Sequence, residues 1–184
     1  MPNFTKTNLG GLIIIEPSVF ADDRGFFMET YSKKVFAENG IDVEFVQDNH
    51  SRSTKGVFRG LHFQKPPFAQ DKLVRCTRGE VLDVVVDIRK DSPTFGQSES
   101  VLISEDNKKI VFIPKGFAHG FLVLSDFAEF QYKCSNFYNK ESESGILWND
   151  PELKIDWPQI ENIILSEKDK LWPKLEEIKN NPVF

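Results

Sequence analysis

Histidine and cysteine are scarce in this chain, three and two among 184 residues. Cys76 and Cys134 lack the close spacing of a zinc or redox pair, so two reduced, buried thiols are expected. His50, His62 and His119 stand singly, with no His-x-His pair or Cys cluster beside them, and no metal is expected. A three-histidine metal centre is kept only as a rival. The glycine-rich loops that cradle phosphates are also missing, both the Walker type and Gly-x-Gly-x-x-Gly between strand and helix, so the expected chemistry needs no cofactor. No apolar run approaches the ~20 residues of a membrane helix. Near the N-terminus the longest is Leu12-Ile13-Ile14-Ile15, too brief for the core of a secretory leader, and a cytoplasmic protein without a membrane partner is expected. A formal charge of -5 speaks against a nucleic-acid partner, so any anionic ligand must meet a local group of arginines and lysines.

What the chain holds is β-type sequence. Hydrophobic residues make up 40% and charged residues 28%, and the length fits one domain, residues 1–184, on a prior of about 150 residues per domain. The apolar runs are short, rich in Val, Ile and Phe, and separated by Gly, Pro, Asn and Asp. Strands are expected at 11–17, 25–31, 43–49, 57–64, 72–78, 80–88, 98–104, 109–113, 120–124 and 128–138, a pattern that suits a sandwich or jelly roll. Seventeen phenylalanines suit its interior. Helix is sparse: a short one over 32–39 ended by Gly40, and a stretch over 166–179 that Pro173 kinks or splits. In 80–88 one face is Leu82, Val84, Val86 and Ile88, while Val81, Asp83, Val85 and Asp87 form a mixed face fit to line a cavity. Asp83 is read as a satisfied structural carboxylate.

Chemistry concentrates in Arg59-Gly60-Leu61-His62-Phe63-Gln64 and Gln70-Asp71-Lys72-Leu73-Val74-Arg75. An imidazole takes a proton near neutral pH, and a nearby ammonium holds the charge left on a carbonyl oxygen, which points to enolisation beside a ketone. Each residue also has a plainer role. His62 alone would read as a core histidine, His119 as structural or binding, and Tyr132, on one face with Phe130 and Cys134, as core packing. Ser166-Glu167-Lys168-Asp169 fits a helix start, which favours capping for Asp169.

Several motifs together resemble the dTDP-4-dehydrorhamnose 3,5-epimerase family. They include Asp23-Arg24-Gly25-Phe26-Phe27-Met28-Glu29, Phe45-Val46-Gln47-Asp48-Asn49-His50-Ser51, Arg59-Gly60-Leu61-His62-Phe63-Gln64 and Ser92-Pro93-Thr94-Phe95-Gly96. Gly116-Phe117-Ala118-His119-Gly120-Phe121, Tyr132-Lys133 and Ile146-Leu147-Trp148-Asn149-Asp150 extend the likeness, which runs to Asp169. The resemblance implies a cupin-like jelly roll without metal, a homodimer, and a dTDP-sugar held in the barrel. It implies His62 as the base at C3 and C5, Asp169 as its support, Lys72 beside the enolate oxygen, and Tyr132 as the acid on the opposite face. Arg24, Glu29, Gln47, Asn49, Arg59, His119, Tyr138, Glu143 and Lys168 match positions that hold the sugar or nucleotide. Asp71 departs from the pattern, standing where the family usually has Gly, beside Lys72.

One difficulty is steric. Strict alternation points Arg59 and His62 to opposite faces, so both reach one ligand only if a bulge or strand end lies between them. The rival readings are a single-site epimerase acting at C3 or C5, a metal-dependent cupin, and a noncatalytic sugar-binding module.

Overall fold

Alternation along Glu80–Asp87 sets how the layers stack. Val81 and Val85 face one hydrophobic cluster and Val84 and Val86 another, so this strand is covered on both sides. The computed structural model describes residues 1–184. Its strands are β1 (Asn3–Lys6), β2 (Ile13–Glu16), β3 (Val19–Asp22), β4 (Gly25–Met28), β5 (Gln47–Thr54), β6 (Phe58–Gln64), β7 (Lys72–Arg78), β8 (Glu80–Asp87), β9 (Ser98–Ser104), β10 (Ile110–Ile113), β11 (Phe117–Val123), β12 (Phe127–Cys134) and β13 (Glu143–Gly145). They form a six-stranded sheet in the order β1-β2-β10-β7-β12-β5 and a five-stranded sheet in the order β13-β6-β11-β8-β9, all antiparallel. The hairpin β3-β4 pairs with neither sheet. No helix is long and apolar enough to cross a membrane.

Between the sheets lies a core that joins Val74, Val111, Ile113 and Phe130 of one to Val81, Val85, Ile103 and Phe121 of the other. Phe121 and Phe130 stack across it with ring centroids 4.2 Å apart. Burial of one such side chain contributes about 1.5–3 kcal/mol, so this layer carries much of the stability. The outer face of the six-stranded sheet is covered by Phe36 of helix α1 (Lys33–Glu38) and by Ile41. That of the five-stranded sheet is covered by the C-terminal segment, through Ile146, Leu153, and Leu175 and Ile178 of helix α2 (Leu175–Asn180).

Both expected helices form, and Pro173 divides the second stretch into a 3-10 turn, Lys168–Lys170, and α2. The strand expected at 43–49 lies at 47–54 instead. Its sequence Gln-Asp-Asn-His-Ser-Arg-Ser-Thr carries no apolar signal because β5 is an edge strand held by backbone pairing to β12, with alternate residues in solvent. β1, β3 and β13 were not expected, being too short or too exposed to show a period.

The decisive irregularity is in β6. His119 pairs with His62 and Phe121 with Arg59, so three steps along β6 match two along β11. This extra residue resets the alternation and turns Arg59 and His62 to the same side. Two glycines permit it. A Cβ on Gly60, whose φ is 150°, would lie 2.5 Å from the Gly120 Cα, and one on Gly120 would lie 2.7 Å from the Arg59 carbonyl oxygen. Gly120→Ala is therefore expected to lower stability by about 1–3 kcal/mol, as an overpacked site does. Urea unfolding checks this, and a midpoint equal to wild type would refute the steric reading.

Candidate active site

His62 lies on the inward face of β6, with Nε2 2.5 Å from Oδ1 of Asp169 in the 3-10 turn. Asp169 is only 2% exposed. The Trp172 indole N–H donates to the same oxygen at 3.1 Å, and the Asp169 amide donates to the Ser166 hydroxyl at 3.3 Å. Burial alone would raise this carboxyl, but the contacts with His62, Ser166 and Trp172 outweigh it and hold its pKa below the ordinary value. With the carboxylate ionised, the Nε2 proton of a neutral His62 points to it, leaving Nδ1 as the free basic nitrogen. The capping expectation for Asp169 is met in part: its backbone uses Ser166, while its side chain is given to His62.

Lys72 opens β7 and Tyr132 lies on β12, both on the six-stranded sheet that faces His62. Burial pulls the Lys72 ammonium below its usual pKa, against the opposing pull of Cys134, Asp83 and Glu143. Burial, with a smaller contribution from Cys134, pushes the Tyr132 phenol up and keeps it protonated at neutral pH. His119, directly across from His62, is bonded through Nε2 to Oδ2 of Asp83 at 2.7 Å. Asp83 is fully buried and its Oδ1 has no partner, so the reading of it as a satisfied carboxylate is corrected to half-satisfied.

A cavity of about 530 Å³ is lined by Arg59, His62, Lys72, His119, Tyr132, Glu143, Lys168 and Asp169. It adjoins a chamber of about 360 Å³ lined by Gln47, Asn49, Gln64 and Tyr138, with His62, Lys72, Tyr132 and Glu143 shared between the two. At the rim, Lys168 Nζ is 2.5 Å from Glu143 Oε1, and the Tyr138 hydroxyl donates to Glu143 Oε2 at 3.1 Å. The Gln47 amide donates to Asn49 and accepts from the Tyr138 N–H, both at 3.1 Å. Arg59 donates to Ser53 at 3.0 Å. Arg59, Lys72 and Lys168 thus give a negatively charged protein a local cationic wall.

Arg24 and Glu29 are not brought to this cavity. Both are exposed in and just after the β3-β4 hairpin, and Arg24 is paired with Asp22. The three histidines do not converge, since His50 lies on the outside against Glu129 at 3.3 Å, and no group of three or more His, Cys, Asp or Glu side chains is placed to hold a metal ion. Asp71 does not act on Lys72 as a free neighbouring charge: its carboxylate accepts from the Lys115 N–H and the Ser135 hydroxyl and ties two loops together. Trp172 and Gln64 escaped sequence reading. For Gln64 the signal was present, two residues after His62 on one strand face, whereas nothing in sequence marks Trp172 as a donor to Asp169.

A family model described as dTDP-4-dehydrorhamnose 3,5-epimerase matches residues 6–177. The enzyme of that name from Escherichia coli is 57% identical over 96% of both chains. The chain belongs to the dTDP-4-dehydrorhamnose 3,5-epimerase family. The epimerase of that name from Shigella flexneri is 60% identical, over 91% of this chain and 92% of its own. Among solved structures, a dTDP-6-deoxy-D-glucose-3,5-epimerase from Legionella pneumophila in complex with dTDP-4-keto-L-rhamnose superposes with a TM-score of 0.94 at 50% identity, covering 98% of this chain and 96% of its own. A 3'-monoepimerase from Streptomyces bikiniensis in complex with dTDP-quinovose has the same fold, with a TM-score of 0.91 at 34% identity over 97% and 90%. This family member is accordingly a mainly β enzyme of cupin fold that catalyses 3,5-epimerisation in dTDP-L-rhamnose biosynthesis.

The depressed Lys72 has a direct check. After reductive ¹³C-methylation, NMR titration is expected to show one dimethyl-lysine resonance with a midpoint below the others, missing from Lys72→Gln. A spectrum in which every lysine titrates together would contradict the burial of this ammonium.

Proposed function

We propose that this epimerase inverts C3 and C5 of dTDP-4-dehydro-6-deoxy-D-glucose with His62 as base, Lys72 as partner of the enolate oxygen and Tyr132 as the opposing acid. The observation that carries the assignment is the placement of His62, paired with Asp169, on one sheet and of Tyr132 with Lys72 on the sheet that faces it. A pyranose ring between the two walls has its two faces addressed by different groups. His62 Nδ1 removes a proton from carbon, the C–H electrons move into the C3–C4 or C4–C5 bond, and the C4 oxygen takes the charge beside the Lys72 ammonium. Tyr132 then protonates the carbon from the other side, and solvent restores both side chains. The ketone acidifies both neighbouring carbons, so one base and one oxyanion partner serve each in turn. Asp169 orients the imidazole and supports its charged form.

Arg59, Lys168 and His119 supply cationic and hydrogen-bonding contacts to the diphosphate and sugar, and Gln47, Asn49, Tyr138 and Glu143 hold the rest of the nucleotide sugar at the rim. A dTDP-sugar ligand is supported by the Legionella complex with dTDP-4-keto-L-rhamnose. Residues 1–184 act as one unit in this reading, which needs no metal or redox cofactor.

The same reading makes the working form a homodimer. The β3-β4 hairpin exposes Phe20, Phe26 and Phe27, each more than half in solvent, on an arm that joins neither sheet. An apolar arm of this kind is suited to bury itself on a second copy. It carries Arg24, and Glu29 follows at its end, so a partner's cavity is where these two would meet ligand.

Two measurements test the proposal. Proton NMR of the 4-keto substrate in deuterated water is expected to show exchange at C3 and C5 with wild type and a loss of about 10²–10⁴-fold in rate for His62→Ala. Tyr132→Phe is expected to keep exchange while slowing inversion. Exchange at one carbon alone would favour the single-site rival, and a fully active His62→Ala would remove the base assignment. Light scattering is expected to give twice the chain mass, falling toward one in a Phe26→Ser, Phe27→Ser double variant, and a monomeric wild type would discard the dimer.

A further inference from the structure

Gln64 is left unused by the mechanism. It stands two positions after His62 on the inward face of β6, in register with Glu143 of β13, and is 6% exposed. The residue is part of the wall of the smaller chamber, with His62, Lys72 and Tyr132. Both Oε1 and Nε2 are buried, and neither has a hydrogen-bond partner in the protein. Other carboxamides of that chamber are engaged: Gln47 bridges Asn49 and the Tyr138 N–H, and Gln70 donates to the Asn136 carbonyl at 2.8 Å. A buried amide with neither end paired is destabilising, and a bound molecule or buried water that completes it accounts for such a group.

We infer that Gln64 is a substrate-contacting residue whose carboxamide hydrogen-bonds the hexose of the bound nucleotide sugar. A neutral amide offers two donors and an acceptor, which match sugar hydroxyls that both give and take hydrogen bonds. Anionic oxygens have better partners in Arg59 and Lys168 on the cavity wall. Position agrees with chemistry, since Gln64 is the next inward side chain after His62 and shares its chamber with Lys72. The residue thereby fixes the ring against the base and selects among hexoses by their hydroxyl pattern. This inference rests on the reading of His62 and Lys72 as the groups around the reacting ring.

The test uses Gln64→Leu, which keeps the approximate volume and removes both polar atoms, with Gln64→Met as a second apolar variant should the first fail to fold. Titration calorimetry in a His62→Ala background, where ligand is not turned over, compares dTDP with dTDP-4-keto-6-deoxyglucose. Affinity for the nucleotide sugar is expected to fall about tenfold while that for dTDP is unchanged. The melting temperature is expected to hold or rise, because an unpaired polar group leaves the interior, whereas a residue that serves the fold alone would lower it. Equal losses for both ligands would place the contact on the nucleotide, and unchanged affinities with a lower melting temperature would make Gln64 structural through buried water. Either result overturns the inference. Turnover by the otherwise native enzyme is scored separately, so failure of the epimerase reading is not mistaken for failure of this one.

Discussion

The close approach of β6 and β11 at Gly60 and Gly120 is the constraint on which the site depends. Strands present alternate side chains to opposite faces, and this contact inserts the one residue that breaks the rule. Without it Arg59 would face outward if His62 faced inward, and one strand could not present both a guanidinium and an imidazole to one cavity. The same crossing sets His119 directly opposite His62, so two imidazoles, each tied to its own carboxylate through Nε2, stand side by side on one wall.

Asp169 reaches that wall from a different layer. The C-terminal segment lies on the outer face of the five-stranded sheet, where Ile146, Leu153, Leu175 and Ile178 join Val84 and Val86. Polar bonds lock the layer in place: the Ile146 N–H donates to the Leu61 carbonyl, the Leu147 N–H to the Pro173 carbonyl, and the Asp150 carboxylate accepts the first amide of α2 at 2.7 Å. A short 3-10 turn would hold a carboxylate loosely by itself. Here it is anchored on one side by Ser166 and on the other by Trp172 and α2. Hydrophobic burial outside the barrel thus becomes orientation of an imidazole inside it.

Much of the fold was legible because central strands bury one or both faces and show it in Val, Ile and Phe. β7, β8, β9 and β10 fall close to their expected bounds. Legibility failed where backbone pairing, and not side-chain burial, holds the strand, as in polar β5 and in short β1, β3 and β13. For the candidate site, residue types pointed to His62 and Lys72 and the family resemblance added Tyr132, all three of which line one cavity, but two features needed coordinates. The bulge that unites Arg59 with His62 depends on φ at a glycine and on a neighbouring glycine distant in sequence. The roles of Trp172 and Asp83 depend on which buried oxygen each side chain meets, and no periodicity encodes that.

The bond between His62 and Asp169 joins residues 107 apart in sequence. Tyr132 is likewise remote and faces across from a late strand, whereas Lys72 opens the strand that follows β6. A topology built of such distant pairings closes large loops before it gains contacts, so folding is slow compared with a helical protein of this size. His62 is made well before the carboxylate that pairs with it, since Asp169 follows 107 residues later. The imidazole therefore gains its orientation only when the C-terminal layer docks, and a chain that has its two sheets but not that layer leaves His62 without its carboxylate.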